Sequence, residues 1–250
     1  MGKDVFPIYK HIGESPLDAV KRVKKENPDL AEEKIAYAGR LDPMAEGALL
    51  LVKGDELKRF DEYLNLDKEY EAELIFGFST DTYDVLGVPA EWEKKKPEKQ
   101  KIEEEAEKFK GKITFPLPPF SGYKVKGKPL FWWALKGKIE EIDLPQKEVE
   151  VYDIDIKEER EITKRQIEKE VLRKVDLARG DFRQKTIKEE WRKALRKKKE
   201  ERFLLLRVGI RCGSGFYVRS FAQILGERLG TGAVLFSLKR KSVGKYMVDR

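Results

Sequence analysis

The sequence predicts a single α+β domain. Three observations carry this reading. Residues 48–52 form a short continuous apolar run, residues 69–79 and 147–156 alternate apolar and polar side chains at period two, and four stretches space apolar residues as an amphipathic helix does. With 250 residues and 40% hydrophobic content, the chain can bury one sizeable core, and no internal repeat divides it.

Taken in order, SPLDAVKRVKKENP opens a helix with Ser15 as N-cap, Pro16 at the first helical position and Asp18 three residues after the cap. Leu17, Val20 and Val23 supply its buried stripe, and Asn27-Pro28 stops it. The loop GRLDP then feeds Ala48 to Val52, a run closed by Lys53-Gly54 that predicts a central strand. In EYEAELIFGFS, Tyr70, Ala72, Leu74, Phe76 and Phe78 alternate with Glu69, Glu71 and Glu73, the pattern of a half-buried strand. The loop TDTYDVLGVP breaks that pattern. A helix over 97–110 follows, with Ile102, Ala106 and Phe109 on one face and Gly111 as its stop. Residues 115–138 fit neither period and predict a Pro/Gly-punctuated loop carrying lysines and aromatics. KEVEVYDIDI is a further strand.

Composition changes abruptly at 157–202, which holds 18 Lys/Arg against 11 Asp/Glu, while the rest of the chain is balanced. Ile167, Val171, Val175 and Ala178, then Ile187, Trp191, Ala194 and Leu195, predict two helices joined near ARGDFRQKT. RFLLLRVGIRC returns to strand and FYVRSFAQILGERLG to helix. Strands on both sides make 157–202 an expected helical insertion within one domain spanning 1–250.

A net charge of +7 and a pI near 9.1 favour a polyanionic partner. One Cys and one His exclude a disulfide framework and disfavour a Cys/His zinc site, leaving carboxylates, hydroxyls, Lys and Arg to do any chemistry. No apolar run has the length of a signal peptide's core or of the roughly 18 residues of a membrane span. The expected setting is cytoplasmic, with no membrane partner.

Asp42 is the residue that composition does not explain. Pro43 pushes its backbone away from the helical region and leaves its carboxylate free for backbone N–H groups. It reads either as a helix N-cap with proline at the first helical position, or as an acid held at a strand entrance where Gly39 and Gly47 admit a close neighbour. Asp81 and Asp84 read as turn-capping carboxylates, or as a paired acid/base or divalent-metal site. Tyr70 and Leu238 fit plain core packing, and Arg219 fits a helix-start salt bridge or phosphate contact.

GRLDPMAEGALLLVKG resembles the catalytic loop of the TruB family of pseudouridine synthases. Four more segments resemble that family's motifs in the same order: YKHIGESPLDAVKRV, KEYEAELIFGFSTDTYDVLG, PPFSGYKVKGKPLFWWALKGK and CGSGFYVRSFAQILGERLGTGAVLFSLKRKSVGKY. Together they cover most of 8–156 and 203–246. The resemblance implies a pseudouridine synthase fold, a mixed and largely antiparallel sheet flanked by helices. It implies isomerisation of the T-arm uridine of tRNA, extruded from its stack, without metal or organic cofactor. It makes Asp42 the attacking carboxylate, desolvated and rigidly placed, Arg219 the guanidinium that keeps it ionised and orients it through paired hydrogen bonds, and Tyr70 the tyrosine that stacks on the base. Leu238 matches a leucine packing on that base, and Lys10 matches the lysine of an N-terminal Lys-Pro motif, with His11 in place of the proline. Tyr37 stands where bacterial members often carry a histidine that shapes RNA contacts. Asp81 and Asp84 fall on a loop that helps position the site, and Tyr123, Lys124, Lys126 and Lys128 on one suited to phosphate contact and base stacking.

Two departures from the family go together. The expectation is a short form, the sequence ending at Arg250 without the C-terminal RNA-binding domain that many relatives carry, with 157–202 as an additional segment. The expectation is that the basic insertion supplies the missing phosphate contacts; the alternative is a helical pair packed on its own stripe. The expected working unit is a monomer bound to the T stem-loop of tRNA. Two other functions fit the same residues, a non-catalytic tRNA chaperone and a synthase acting on other RNAs.

Overall fold

The computed structural model describes residues 4–90, 92 and 96–248; Arg250 lies outside them. In chain order the elements are β1 (Val5–Lys10), α1 (Pro16–Glu26), β2 (Ala36–Ala38), β3 (Glu46–Val52), α2 (Phe60–Leu64), β4 (Lys68–Phe76), β5 (Ser79–Thr80) and β6 (Pro89–Ala90). Then come α3 (Lys99–Glu107), β7 (Gly111–Pro116), β8 (Lys124–Val125), β9 (Lys128–Pro129), α4 (Leu130–Leu135) and β10 (Gln146–Thr163). The chain closes with α5 (Lys164–Leu177), α6 (Gln184–Lys197), β11 (Arg202–Cys212), α7 (Val218–Arg228), β12 (Ala233–Val243) and β13 (Tyr246–Met247).

One mixed sheet organises the fold, in the order β1-β3-β12-β4-β11-β10-β7, with β2 added to β3 and β13 to β12. Only β3 and β12 run parallel, so the sheet is largely antiparallel as expected. β3 is interior, and after Glu46 it is apolar and buried from Gly47 to Val52, the arrangement in which a strand has no solvated face and the period-two signal vanishes. β1 sits at the edge, where the missing N–H of Pro7 is tolerated. The α1 cap box forms as its sequence dictates, but Ala19 rather than Leu17 completes the stripe with Val20 and Val23. Leu17, at the entrance of the helix, is 53% exposed.

Residues 115–138 are more ordered than their composition suggests, holding the β8–β9 hairpin and the short helix α4. The basic segment is also only partly helical. Residues 157–163 extend β10, and Arg202 opens β11, so that Thr163 and Arg202 pair at the end of a long hairpin and the helices α5 and α6 occupy the excursion between them. Their apolar stripe does not pack only on itself. Val171, Ile187, Trp191 and Leu195 join the same core as Leu74 and Phe76 of the sheet and Phe78 just beyond β4. Trp191 is fully buried, its ring 5.2 Å from Phe78 and its indole N–H donating to the Gly87 carbonyl at 3.1 Å. Lys174, 1% exposed, donates to the Phe236 carbonyl of β12.

Candidate active site

The strand pairings bring two predicted side chains, Tyr70 and Leu238, to one floor with Arg240. Tyr70 on β4 lies opposite Arg240 on β12, and Leu238 is two residues from Arg240 on the same strand, hence on the same face. At the ends of these strands lies a cleft of about 520 Å³. Its walls come from the loop 39–43, from Phe120 and Phe131, from the turn 214–217, and from Arg219 at the start of α7.

Asp42 enters this cleft from a turn, not from a helix N-cap. The Ala45 N–H donates to the Asp42 carbonyl at 3.0 Å, and Pro43 takes the second position of the turn, where its fixed φ is suited. Gly47 then has φ +108 and brings β3 so near β12 that a Cβ would lie 2.2 Å from the Arg240 carbonyl oxygen. That close approach is why a glycine follows the loop. The Asp42 side chain is 35% exposed, so the free protein does not desolvate it as expected. Water must leave when a ligand fills the cleft.

Arg219, only 4% exposed, places Nε 2.8 Å from Asp42 Oδ2. The expected pair of hydrogen bonds to Asp42 does not form, because the other two guanidinium nitrogens are taken: Nη1 donates to the Thr82 carbonyl at 3.0 Å, and both reach the Phe120 carbonyl at 3.3 Å. The arginine is thereby fixed by three segments, and burial excludes a surface phosphate contact.

Asp84 lies behind the pair. It accepts from Thr82 Oγ1 at 2.7 Å and from the Leu86 N–H at 2.9 Å, and its second oxygen is 3.8 Å from Arg219 Nε. Burial, opposed by Arg219, pushes its carboxyl up to about 6. Asp81 accepts from the Val88 N–H at 2.8 Å and from Arg183 Nη1 at 2.6 Å. Both carboxylates therefore serve the turn, as the capping reading holds. Neither lines the cleft, although Asp84 borders a second hollow of about 330 Å³ next to it.

Tyr70 is half-buried beside Arg240, and burial pushes its phenol up to about 12, so it keeps its proton at neutral pH. Lys10 does not line the cleft. It is fully buried, its ammonium held by the carbonyls of Ala45 at 2.6 Å and His11 at 3.1 Å, and burial pushes it down to about 8. Its place is beneath the loop that carries Asp42, where it supports Ala45. Tyr37 packs on β2 against the α1 core and is absent from the cleft lining. Tyr123, Lys124 and Lys126 stand exposed on the β8–β9 hairpin, outside the cleft; from that segment Phe120, Ser121, Gly122 and Phe131 line it instead.

Three cleft residues went unread in the sequence. Arg240, 1% exposed, donates to three carbonyls, Ala48 at 2.7 Å, Arg40 at 3.1 Å and Gly39 at 3.3 Å, and so clamps the loop that carries Asp42. Lys68, 5% exposed, donates to the Leu64 carbonyl, and burial followed by the nearby Arg240 pushes it down to about 8. Phe182, from the turn between α5 and α6, reaches the same cleft. A buried arginine inside Lys-Arg-Lys has no sequence mark apart from its position on a strand's inner face. Asp42 is the sole carboxylate among the residues lining this cleft, against Arg40, Lys68, Lys147, Arg219 and Arg240.

The model of the TruB family pseudouridylate synthase (N terminal domain) matches residues 27–174 of this chain. A tRNA pseudouridine synthase B from Malacoplasma penetrans (strain HF-2) is 30% identical over 248 residues, covering 98% of this chain and 87% of that one. The protein of the same name from Syntrophus aciditrophicus (strain SB) is 29% identical over 246 residues, and the chain spans 64% of its length. Among solved structures, a Cbf5-Nop10-Gar1 complex matches with a TM-score of 0.58 at 21% identity, over 98% of this chain and 50% of that one. The fold is that of the pseudouridine synthases. Among the described residues, no helix is long and apolar enough to cross a membrane.

Proposed function

The chain belongs to the TruB family of pseudouridylate synthases, and on that premise we propose that it isomerises the T-arm uridine of tRNA to pseudouridine, with Asp42 as nucleophile. The observation that carries the reading is the cleft itself: one carboxylate, ion-paired at 2.8 Å to a buried arginine, in a lining whose other charged side chains are all basic and which carries several aromatic rings. Cations suit the phosphates of RNA, and rings suit an unstacked base.

The reaction balances without a co-reactant. The bond from ribose to a ring nitrogen breaks, a bond from ribose to a ring carbon forms, one proton leaves that carbon and one is taken up by nitrogen. A rigidly held carboxylate can lower the barrier by covalent attack on the target nucleotide, and the incoming base expels the water that now reaches Asp42. Tyr70, protonated at neutral pH, offers a ring face and a hydrogen-bond donor on the floor, and Leu238 an apolar contact. Extrusion of the base from a folded stem-loop costs a few kcal/mol of stacking, which contacts in the cleft offset. The working form in this proposal is a cytoplasmic monomer bound to the T stem-loop.

The test is incubation with an unmodified tRNA transcript and mapping of pseudouridine, beside Asp42→Asn. Product at the T-arm uridine, absent in the variant, is expected. RNA binding without product in the wild type would leave only a binding or remodelling role, and product at another uridine would keep the chemistry and overturn the substrate.

A further inference from the structure

The turn joining α5 and α6 does not extend into solvent away from the sheet. The Arg179 N–H donates to the Gly13 carbonyl at 3.1 Å, and the Gly13 N–H donates to the carbonyl of Pro43, the neighbour of Asp42, at 2.7 Å. Gly13 permits this closeness: a Cβ there would lie 2.1 Å from the Leu177 carbonyl oxygen. At the other end of the turn, Arg183 holds a left-handed φ of 60, rare for a residue with a side chain. Its guanidinium is spent on Asp81 at 2.6 Å and lies over the Phe120 ring at 4.6 Å. Gln184 ties the turn internally, its amide donating to the Gly180 carbonyl at 2.6 Å and its oxygen accepting from the Phe182 N–H at 3.0 Å.

A backbone fixed at so many points carries an aromatic ring that packs into no core cluster. Phe182 is 37% exposed, and it lines both the Asp42 cleft and the adjoining 330 Å³ hollow. Phe131 lines both hollows as well and is 43% exposed, so the two rings border the space beside Asp42 while still open to solvent. An exposed ring on a rigid support, among cations and next to the carboxylate, suits the π-face of a nucleobase.

We infer that the insertion supplies part of the RNA site: Phe182 stacks on an unstacked nucleobase held over Asp42, and Arg183 is the positioning residue that aims it. This rests on the proposed reaction and assigns to the insertion a role beyond phosphate contact.

The test compares wild type with Phe182→Ala, Phe182→Leu, Phe182→Tyr and Arg183→Asn, using kcat/KM for pseudouridine formation on a tRNA transcript and thermal melting. Loss of stacking on one base is expected to lower kcat/KM of Phe182→Ala between about 5-fold and 150-fold. Melting should stay near wild type, because the ring is exposed. Phe182→Tyr should restore activity and Phe182→Leu should not, since leucine covers the same space without a π-face. Arg183→Asn, which tolerates the left-handed backbone, should also lower kcat/KM. Phe182→Ala within twofold of wild type, or Phe182→Leu as active as wild type, would overturn the inference and leave the proposed reaction standing. A wild type that forms no pseudouridine would overturn both.

Discussion

Arg240→Lys tests whether the floor of the cleft holds the loop that carries Asp42, the proposed nucleophile. The guanidinium spans three carbonyls on two segments, Gly39 and Arg40 before Asp42 and Ala48 after it. A lysine ammonium is a single point on a flexible stem and can satisfy one of them in this geometry. Two hydrogen bonds from a charged donor are then lost at about 1.5–3 kcal/mol each, or about 3–6 kcal/mol together. For a domain of this size that is roughly a 6–24 °C fall in Tm. The loop also gains freedom, and a displacement of about 1 Å at the reacting atom costs about 100-fold in rate. Single-turnover release of tritium from the uracil C5 of labelled tRNA, at saturating enzyme, should therefore slow by about two orders of magnitude, while tRNA binding stays within about threefold because the donors face carbonyls. A large fall in Tm with an unchanged single-turnover rate would refute the link between the clamp and Asp42. A slowed rate with unchanged Tm would mean that Arg240 acts on the substrate and not on the loop.

Asp84, raised to about 6 in the folded protein from an ordinary 3.8, binds more protons folded than unfolded between those values; its contribution to stability is present below about pH 4 and lost as pH rises through 6. Wild type should accordingly lose about 2 kcal/mol relative to Asp84→Asn between pH 4 and pH 7, and urea titrations at several pH values would measure it. Lys68, lowered to about 8, loses its charge in the free cleft at mildly alkaline pH, and a bound phosphate would restore it. Affinity for a T-arm stem-loop should fall above pH 8 by up to about tenfold per pH unit, with Lys68→Arg flattening the profile in fluorescence anisotropy. Arg179 on the turn of the insertion and Lys185 in the first turn of α6 are both exposed on either side of Phe182; replacing both with Gln should reduce the slope of log affinity against log salt by about 1–2, and an unchanged slope would remove them from the phosphate contacts. Replacing α5 and α6 by a tight turn should cost the fold and not only RNA binding, since it uncovers Phe78 and Phe203, and a variant with wild-type Tm would contradict the shared core.

The strands that alternate and the helices with caps were legible because their signals are local. β4, β11, α1, α5 and α6 follow from residue spacing, as does the strand entrance at Asp42. β12 was not legible, although it joins β3 to β4 at the middle of the sheet, because Lys239, Arg240 and Lys241 look like solvated surface. Burial of Arg240 depends on three carbonyls that only the tertiary fold collects. The same holds for Lys10 and Tyr37, which motif position assigned to the RNA and the fold assigns to the support beneath it. Asp42 and Arg219 were found from motif order; that the arginine meets the acid through one nitrogen is a property of where Thr82 and Phe120 end up.

The hairpin that carries the insertion has a consequence for how such a protein can change over generations. Thr163 and Arg202 pair at the base of the excursion, well away along the chain from the turn 178–183, so side-chain substitutions in that turn do not touch the register of β10 and β11. Yet that turn comes to rest beside Asp42. Loop-closure entropy grows only as the logarithm of length, so lengthening or shortening such an excursion is inexpensive. On the proposed reading, drift in one short surface segment can therefore retune which RNAs are accepted, while the proposed nucleophile and its arginine stay under constraint on separate parts of the chain.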